Sequence, residues 1–150
     1  MPVLQTLAAA GRVVRELGWH RGMAERTAFE ILVVDDEVAA LKGLVALLRN
    51  AGYRTTGAAT FRAARDLLAS GLFDLLVTDI RLDHSTGFDL VRLARTSQPT
   101  LPVIVITAYD SSDIKSHALD HGAIYLPKPL IVADLLREIE AIATRSSQLA

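Results

Sequence analysis

The chain has 150 residues, of which 51% are hydrophobic and 22% are charged, a composition typical of one globular domain with a buried core. Its formal net charge of −1 argues against nucleic acid or an anionic membrane as a direct partner. The chain has no cysteine, which excludes thiol chemistry. It also has no apolar run near the ~18 residues that are needed to span a bilayer, so a cytoplasmic protein is expected.

Residues 1–28 form an N-terminal extension that differs from the rest of the sequence. Apolar residues recur there at helical spacing up to Gly18, which indicates a short amphipathic helix that docks on a partner or on the domain itself. The other interpretation is that Met23 is the true start and that the residues before it are mis-assigned. The residues of the helical pattern are Val3, Leu7, Ala10, Val14 and Leu17.

Between residues 29 and 146, five strand-like segments alternate with five helical patterns, which predicts one α/β domain. The strands are predicted at residues 31–34, 53–58, 75–78, 103–107 and 124–126. The apolar faces of the helices are predicted at residues 41–48, 61–68, 90–94, 114–119 and 131–142.

Most of these strands are near-continuous apolar runs, which is typical of strands buried on both faces of a parallel sheet with helices on either side. The polar segment at 53–58 indicates a strand near the edge of the sheet. No second domain is expected to follow, and residues 147–150 are predicted to form a frayed tail.

Polar side chains follow four of the predicted strands at the point where each strand ends. Asp35 and Asp36 follow the first strand, Asp79 the third, Thr107 the fourth and Lys128 the fifth. Considered one at a time, each of these residues has a simpler interpretation, such as a helix cap or a solvated loop residue. Because ligands bind at the carboxyl ends of the strands in an open parallel sheet, we expect the five to meet in one site.

Three clustered carboxylates require a cation. Carboxylate oxygens are the ligands that Mg²⁺ prefers, and Mg²⁺ is usually shared with waters and phosphate oxygens. Lys128 would neutralise one phosphoryl oxygen and Thr107 would donate a hydrogen bond to another. The set therefore favours phosphoryl chemistry, which needs mainly positioning and charge neutralisation.

Four segments carry a family resemblance: "VVDDE", "LLVTDIRL" followed by Gly87, "LPVIVITAYD" and "HGAIYLPKP". Together they resemble the receiver domain of two-component response regulators, in a single-domain, chemotaxis-type architecture. The wording is most similar to receivers of nitrogen- and oxygen-responsive transcriptional regulators. The resemblance implies a flavodoxin-like, five-stranded parallel sheet with strand order 2-1-3-4-5.

The resemblance also implies roles for single residues. Asp79 would be the phosphoacceptor, and Mg²⁺ would be held by Asp35, Asp36, Asp79 and the main-chain carbonyl of Arg81. Thr107 and Lys128 would contact the phosphoryl group. Two further features are expected near Lys128: Tyr125 as a switch residue that moves with Thr107, and a cis peptide bond between Lys128 and Pro129.

The partners implied are a sensor histidine kinase or phosphotransfer protein as donor, and an unidentified protein as output target. A homodimer through the fourth helix, fifth strand and fifth helix is a further implication. Such a chain is a phosphoprotein in signal transduction rather than an enzyme, with at most slow self-dephosphorylation.

Two departures from the family pattern keep other functions open. Asp83 replaces the usual proline in the loop after Asp79, and the segment from Gly122 to Tyr125 is one residue shorter than usual. A degenerate receiver that binds a protein without phosphorylation is therefore one alternative. The other is an Asp-nucleophile phosphohydrolase, since Asp35 and Glu37 have the two-residue spacing of its carboxylates.

Overall fold

The computed structural model describes residues 28–71, 73–82, 85–108 and 111–148. The predictions for residues 1–27, including the amphipathic helix and the alternative start, lie outside these residues, as does the prediction for Asp83. Within the described ranges, no helix has the length and apolar character that crossing a membrane requires.

The centre of the fold is a five-stranded, fully parallel sheet, whose strands are β1 (Glu30–Val34), β2 (Arg54–Ala58), β3 (Leu75–Asp79), β4 (Val103–Thr107) and β5 (Ile124–Pro127). Their order in the sheet is β2-β1-β3-β4-β5. This confirms the predicted flavodoxin-like architecture, with the polar strand β2 at one edge. A short antiparallel ribbon, formed by residues 81–82 and 85–86, follows β3 and was not predicted.

Within the part of the chain that the structure describes, five helices connect and cover the strands, as the sequence predicts. Three begin with a capping hydroxyl: Thr60, Thr86 and Ser111 each accept a hydrogen bond from the backbone N–H three residues on. Asp89 completes a capping box with Thr86. The helices are α1 (Val38–Asn50), α2 (Phe61–Ser70), α3 (Gly87–Ser97), α4 (Ser112–Asp120) and α5 (Val132–Gln148).

The sheet is buried on both faces, because successive strand residues enter two separate cores. One core lies between the sheet and helices α2, α3 and α4, where Leu32, Leu76 and Val105 are buried. The other lies between the sheet and helices α1 and α5, where Val33 and Val77 are buried. This double burial explains why the strands read as unbroken apolar runs.

Three details differ from the sequence-based expectation. Leu119 is 77% exposed, because its neighbour Ala118 occupies the buried face of α4. Ile131 is 61% exposed because it precedes α5 and does not share the helix's buried stripe. Helix α5 continues to Gln148, two residues into the expected tail.

Candidate functional site

Asp35 lies where β1 ends, at the carboxyl edge of the sheet, and three contacts fix it there. Its N–H donates to the carbonyl of Ala58 at 3.2 Å, which joins the ends of β1 and β2. Its Oδ1 accepts a hydrogen bond from the Glu37 N–H at 2.9 Å, and its Oδ2 lies 3.5 Å from Lys128 Nζ. Burial raises the pKa of Asp35, although the Glu37 N–H and the Lys128 ammonium both oppose that shift.

Lys128 is the cation of the site and contacts two of its acids. Its Nζ donates to Asp79 Oδ2 at 2.7 Å, and its N–H donates to the Thr107 carbonyl at 2.8 Å. Burial lowers the pKa of Lys128, but the hydrogen bond and charge of Asp79, with Asp35, outweigh burial and raise it. The side chain is therefore charged at neutral pH.

Asp79, at the end of β3, is held from both sides. Besides Lys128, it has the backbone of the following turn as a partner, since Asp79 Oδ1 accepts a hydrogen bond from the Arg81 N–H at 3.2 Å. This contact brings the Arg81 backbone N–H next to Asp79, and metal binding by the Arg81 carbonyl stays a prediction.

Asp35, Asp36 and Asp79 each offer an oxygen within 4.8 Å of the other two. Asp35 is buried, Asp79 is partly buried and Asp36 is exposed, so the cluster opens to solvent on one side. A single lysine does not neutralise three carboxylates. The donor set, all carboxylate oxygen and open to water, fits Mg²⁺.

Thr107 and Tyr125 lie on β4 and β5, the two strands that follow β3 in the sheet. Thr107 is fully buried and comes one residue after Ile106, which pairs with Asp79 in the sheet. Tyr125 pairs with Val105 on the adjacent strand and is half-buried against the α2–α3–α4 core. The Lys128–Pro129 peptide bond is cis, as the family resemblance implies.

Gly87 is a structural determinant of the site that the sequence flagged only as part of a motif. Its N–H donates to the Ile80 carbonyl at 2.7 Å, which returns the chain to the end of β3 after the ribbon. A Cβ atom at Gly87 would overlap the Asp79 carbonyl oxygen and lie 3.2 Å from Ile80 Cα. Only glycine lets α3 begin this close to Asp79.

A cavity of about 370 Å³ adjoins the acids and was not predicted. It lies between α1 and the segment that follows β5, with Asp35, Asp79 and Lys128 along one side. Most of the rest of its wall is aliphatic, although Glu37 and Thr78 also line it. Gly43 leaves space in the α1 wall of the cavity, because a Cβ atom added at this position would have no other atom within 4 Å. The aliphatic wall includes Ala40, Leu44, Leu47, Ile106, Leu130 and Val132.

Comparisons with known proteins agree with this geometry. The family model for the response regulator receiver domain matches residues 31–140. A CheY-like receiver domain protein from Methanospirillum hungatei has a TM-score of 0.75 and 30% identity, covering 81% of this chain and 99% of that one. Chemotaxis protein CheY4 of Vibrio cholerae has a TM-score of 0.72 and 26% identity, covering 77% and 99%.

Curated relatives include transcriptional regulatory protein ZraR of Klebsiella oxytoca, 40% identical over 67% of this chain and 23% of the relative. Response regulator protein PilR of Pseudomonas aeruginosa is 41% identical over 76% of this chain and 26% of its own length. Response regulator MprA of Mycolicibacterium vanbaalenii is 37% identical over 78% and 51%. The chain thus spans about a quarter to a half of these relatives.

The finer resemblance to nitrogen- and oxygen-responsive regulators stays a prediction, since none of these names refers to either stimulus. The family match covers well over half of the chain, and the sheet order and the acids at its carboxyl edge agree with it. The protein therefore belongs to the family of response regulator receiver domains, which are parts of two-component systems.

Proposed function

We propose that this chain accepts a phosphoryl group on Asp79 in a Mg²⁺-dependent reaction and passes the signal on through a protein-binding surface. The observation that carries the proposal is the juxtaposition of Asp35, Asp36 and Asp79 with Lys128, whose ammonium contacts Asp79 at 2.7 Å and Asp35 at 3.5 Å. Such a site can position a phosphoryl group and neutralise its charge.

In the proposed reaction, a carboxylate oxygen of Asp79 attacks the phosphorus atom, and the bond from phosphorus to the donor breaks. The donor is a phosphohistidine of a sensor kinase or phosphotransfer protein, or a small acyl phosphate. Asp35, Asp36, Asp79 and the Arg81 carbonyl would hold Mg²⁺, which neutralises phosphoryl charge when bound. Lys128 stabilises a second oxygen, and water later hydrolyses the acyl phosphate slowly.

The output of the proposed reaction is a change of shape. A phosphoryl group adds about −1.5 to −2 of charge together with strong acceptor oxygens. The Thr107 hydroxyl is drawn to it, and Tyr125 moves into the space that Thr107 leaves. This changes the surface formed by α4, β5 and α5, where an output protein or a second copy of the chain would bind.

The cavity beside Asp79 supports a protein as the phosphodonor. A donor protein that brings its phosphohistidine to Asp79 must cover the adjoining surface, which has a largely aliphatic cavity and, next in sequence to its lining residues, two exposed aliphatic residues. Val38, at the start of α1, is 51% exposed, and Ile131, before α5, is 61% exposed. We propose that an apolar side chain of the donor enters this cavity.

The residue that carries the phosphoryl group can be identified chemically. After incubation with acetyl phosphate and Mg²⁺, sodium borohydride reduces an aspartyl phosphate to homoserine. Peptide mass spectrometry should find homoserine at position 79 and nowhere else. Homoserine at Asp35 would instead favour the phosphohydrolase alternative. Its absence throughout, with a functional phosphohistidine donor also failing, would favour the binding module that works without phosphorylation.

A further inference from the structure

Lys115 contacts the proposed switch residue from outside the phosphorylation site. It lies on the exposed side of α4, and its Nζ is 5.6 Å from the centroid of the Tyr125 ring. This distance is within the ~6 Å range in which an ammonium is attracted to the face of an aromatic ring.

The backbone around this contact is anchored, so the lysine is brought to the ring by the fold. Ala118, one turn further along α4, is buried in the α2–α3–α4 core, and Ile114 packs against the same core. Tyr125 itself is fixed in register with Val105 of β4. Only the two side chains need to move for the contact to break.

We propose that Lys115 is a positioning residue that holds the partly buried Tyr125 ring in the position seen here and so opposes the switch. This inference rests on the proposed function, in which phosphorylation draws Tyr125 inward. An inward ring leaves the reach of an ammonium on the outer side of α4. The contact therefore favours the outward conformer, and its loss should shift the population toward the inward one.

The size of the effect follows from the strength of such contacts. A cation–π pair at an exposed site shifts an equilibrium about two- to fivefold. Because the binding of a phosphoryl analogue and the conformation of Tyr125 are linked, the analogue's affinity changes by up to the same factor. Lys115 would thus set the sensitivity of the chain to phosphorylation without contacting Asp79.

The test measures the affinity of the full chain for beryllofluoride, a phosphoryl analogue that binds an aspartate carboxylate in the presence of Mg²⁺. Isothermal titration should show that Lys115→Met, which keeps the side-chain stem and removes the charge, binds about two- to fivefold more tightly than wild type. Lys42→Met, which removes an exposed charge from α1, is the matched control and should bind like wild type.

Variants of Tyr125 test whether the change in beryllofluoride affinity caused by Lys115→Met depends on the Tyr125 ring. In a Tyr125→Phe background, which keeps an aromatic face, Lys115→Met should still tighten binding, whereas in a Tyr125→Leu background it should have no effect. Unchanged or weaker binding by Lys115→Met, or an equal gain in the Tyr125→Leu background, would overturn the inference. Loss of all beryllofluoride binding in wild type, with no phosphoryl adduct, would overturn the proposed function as well.

Discussion

At the scale of single residues, the site has more negative charge than one lysine can balance. Asp35 is the buried member, its oxygens already engaged by the Glu37 N–H and Lys128, while Asp36 is exposed. The two neighbours therefore have different parts in the proposed metal site. The Asp35 carboxylate is held in place by its contacts within the fold, whereas the Asp36 side chain can rotate toward a cation that arrives from solvent.

Asp36→Ala should weaken Mg²⁺ binding at least about tenfold, because even partners that only orient metal ligands contribute ten- to a hundredfold. Isothermal titration of Mg²⁺ measures this directly. Thermal unfolding in EDTA is the control, since an exposed side chain contributes little to the fold itself. An unchanged Mg²⁺ affinity would remove Asp36 from the metal site.

Lys128→Ala should leave the chain folded but less stable at pH 7, by about 1.5 to 3 kcal/mol, the value of a hydrogen bond to a charged group. Because the pKa of Lys128 is raised above 10.5, its contribution is fully present below pH 10.5 and is lost as the pH rises through the folded-state pKa.

Urea unfolding of wild type and Lys128→Ala at several pH values checks this prediction. The two stabilities should differ by a constant amount from pH 7 to about 10 and converge above that. The same variant should accept a phosphoryl group without producing the switched conformation. A variant that still shows the same conformational change on phosphorylation would contradict the role given to Lys128.

At the scale of elements, the connection from β3 to α3 is built on close backbone contact. The chain leaves β3 at Asp79, forms the short ribbon, and returns at Gly87 against the Asp79 carbonyl. The capping box of Thr86 and Asp89 fixes the start of α3 at this point. The position of the phosphoacceptor thus depends on a glycine eight residues later in the chain.

Gly87→Ala should force the start of α3 and the end of β3 apart, since the new Cβ would overlap backbone rather than a flexible side chain. We expect a loss of about 1 to 3 kcal/mol in stability, typical of overpacking, together with slower phosphorylation by acetyl phosphate. Gly43→Ala is the control, because its Cβ meets open space in a helix and should stabilise the chain by up to about 1 kcal/mol. Equal stability of Gly87→Ala and wild type would contradict the packing argument.

A substitution in helix α1 can distinguish phosphorylation by a donor protein from phosphorylation by a small-molecule donor. Gly43→Leu adds an aliphatic side chain where the cavity adjoins α1 and should slow phosphotransfer from a phosphohistidine protein about tenfold or more, a loss typical of a buried apolar contact. Phosphorylation by acetyl phosphate, which needs only Asp79 and its neighbours, should be unaffected. Equal slowing with both donors would indicate damage to the site instead of the docking surface.

At the scale of the whole molecule, most of the fold could be predicted because its sequence patterns are strong and mutually consistent. Unbroken apolar strands alternating with amphipathic helices predict a parallel sheet, and a parallel sheet gathers strand ends at one edge. That rule alone predicts that Asp35, Asp36, Asp79 and Lys128 lie close together. Their proximity follows from topology and needs no knowledge of side-chain detail.

Other features escaped prediction because they depend on side-chain packing and exact backbone paths. The exposure of Leu119 and Ile131 depends on where each helical stripe begins, which periodicity fixes only to within a residue or two. The cavity exists because small residues of α1 happen to face the segment after β5. The contact of Lys115 with Tyr125 joins two elements whose relative position no local pattern encodes.

The most direct test of Asp79 as the phosphoacceptor is the intact mass of the chain after incubation with acetyl phosphate, with and without Mg²⁺, for wild type and Asp79→Asn. We expect one phosphoryl adduct in wild type that requires Mg²⁺ and is absent from Asp79→Asn. An adduct that persists in Asp79→Asn, or that forms equally well without Mg²⁺, would contradict Asp79 as the phosphoacceptor of a metal-dependent receiver.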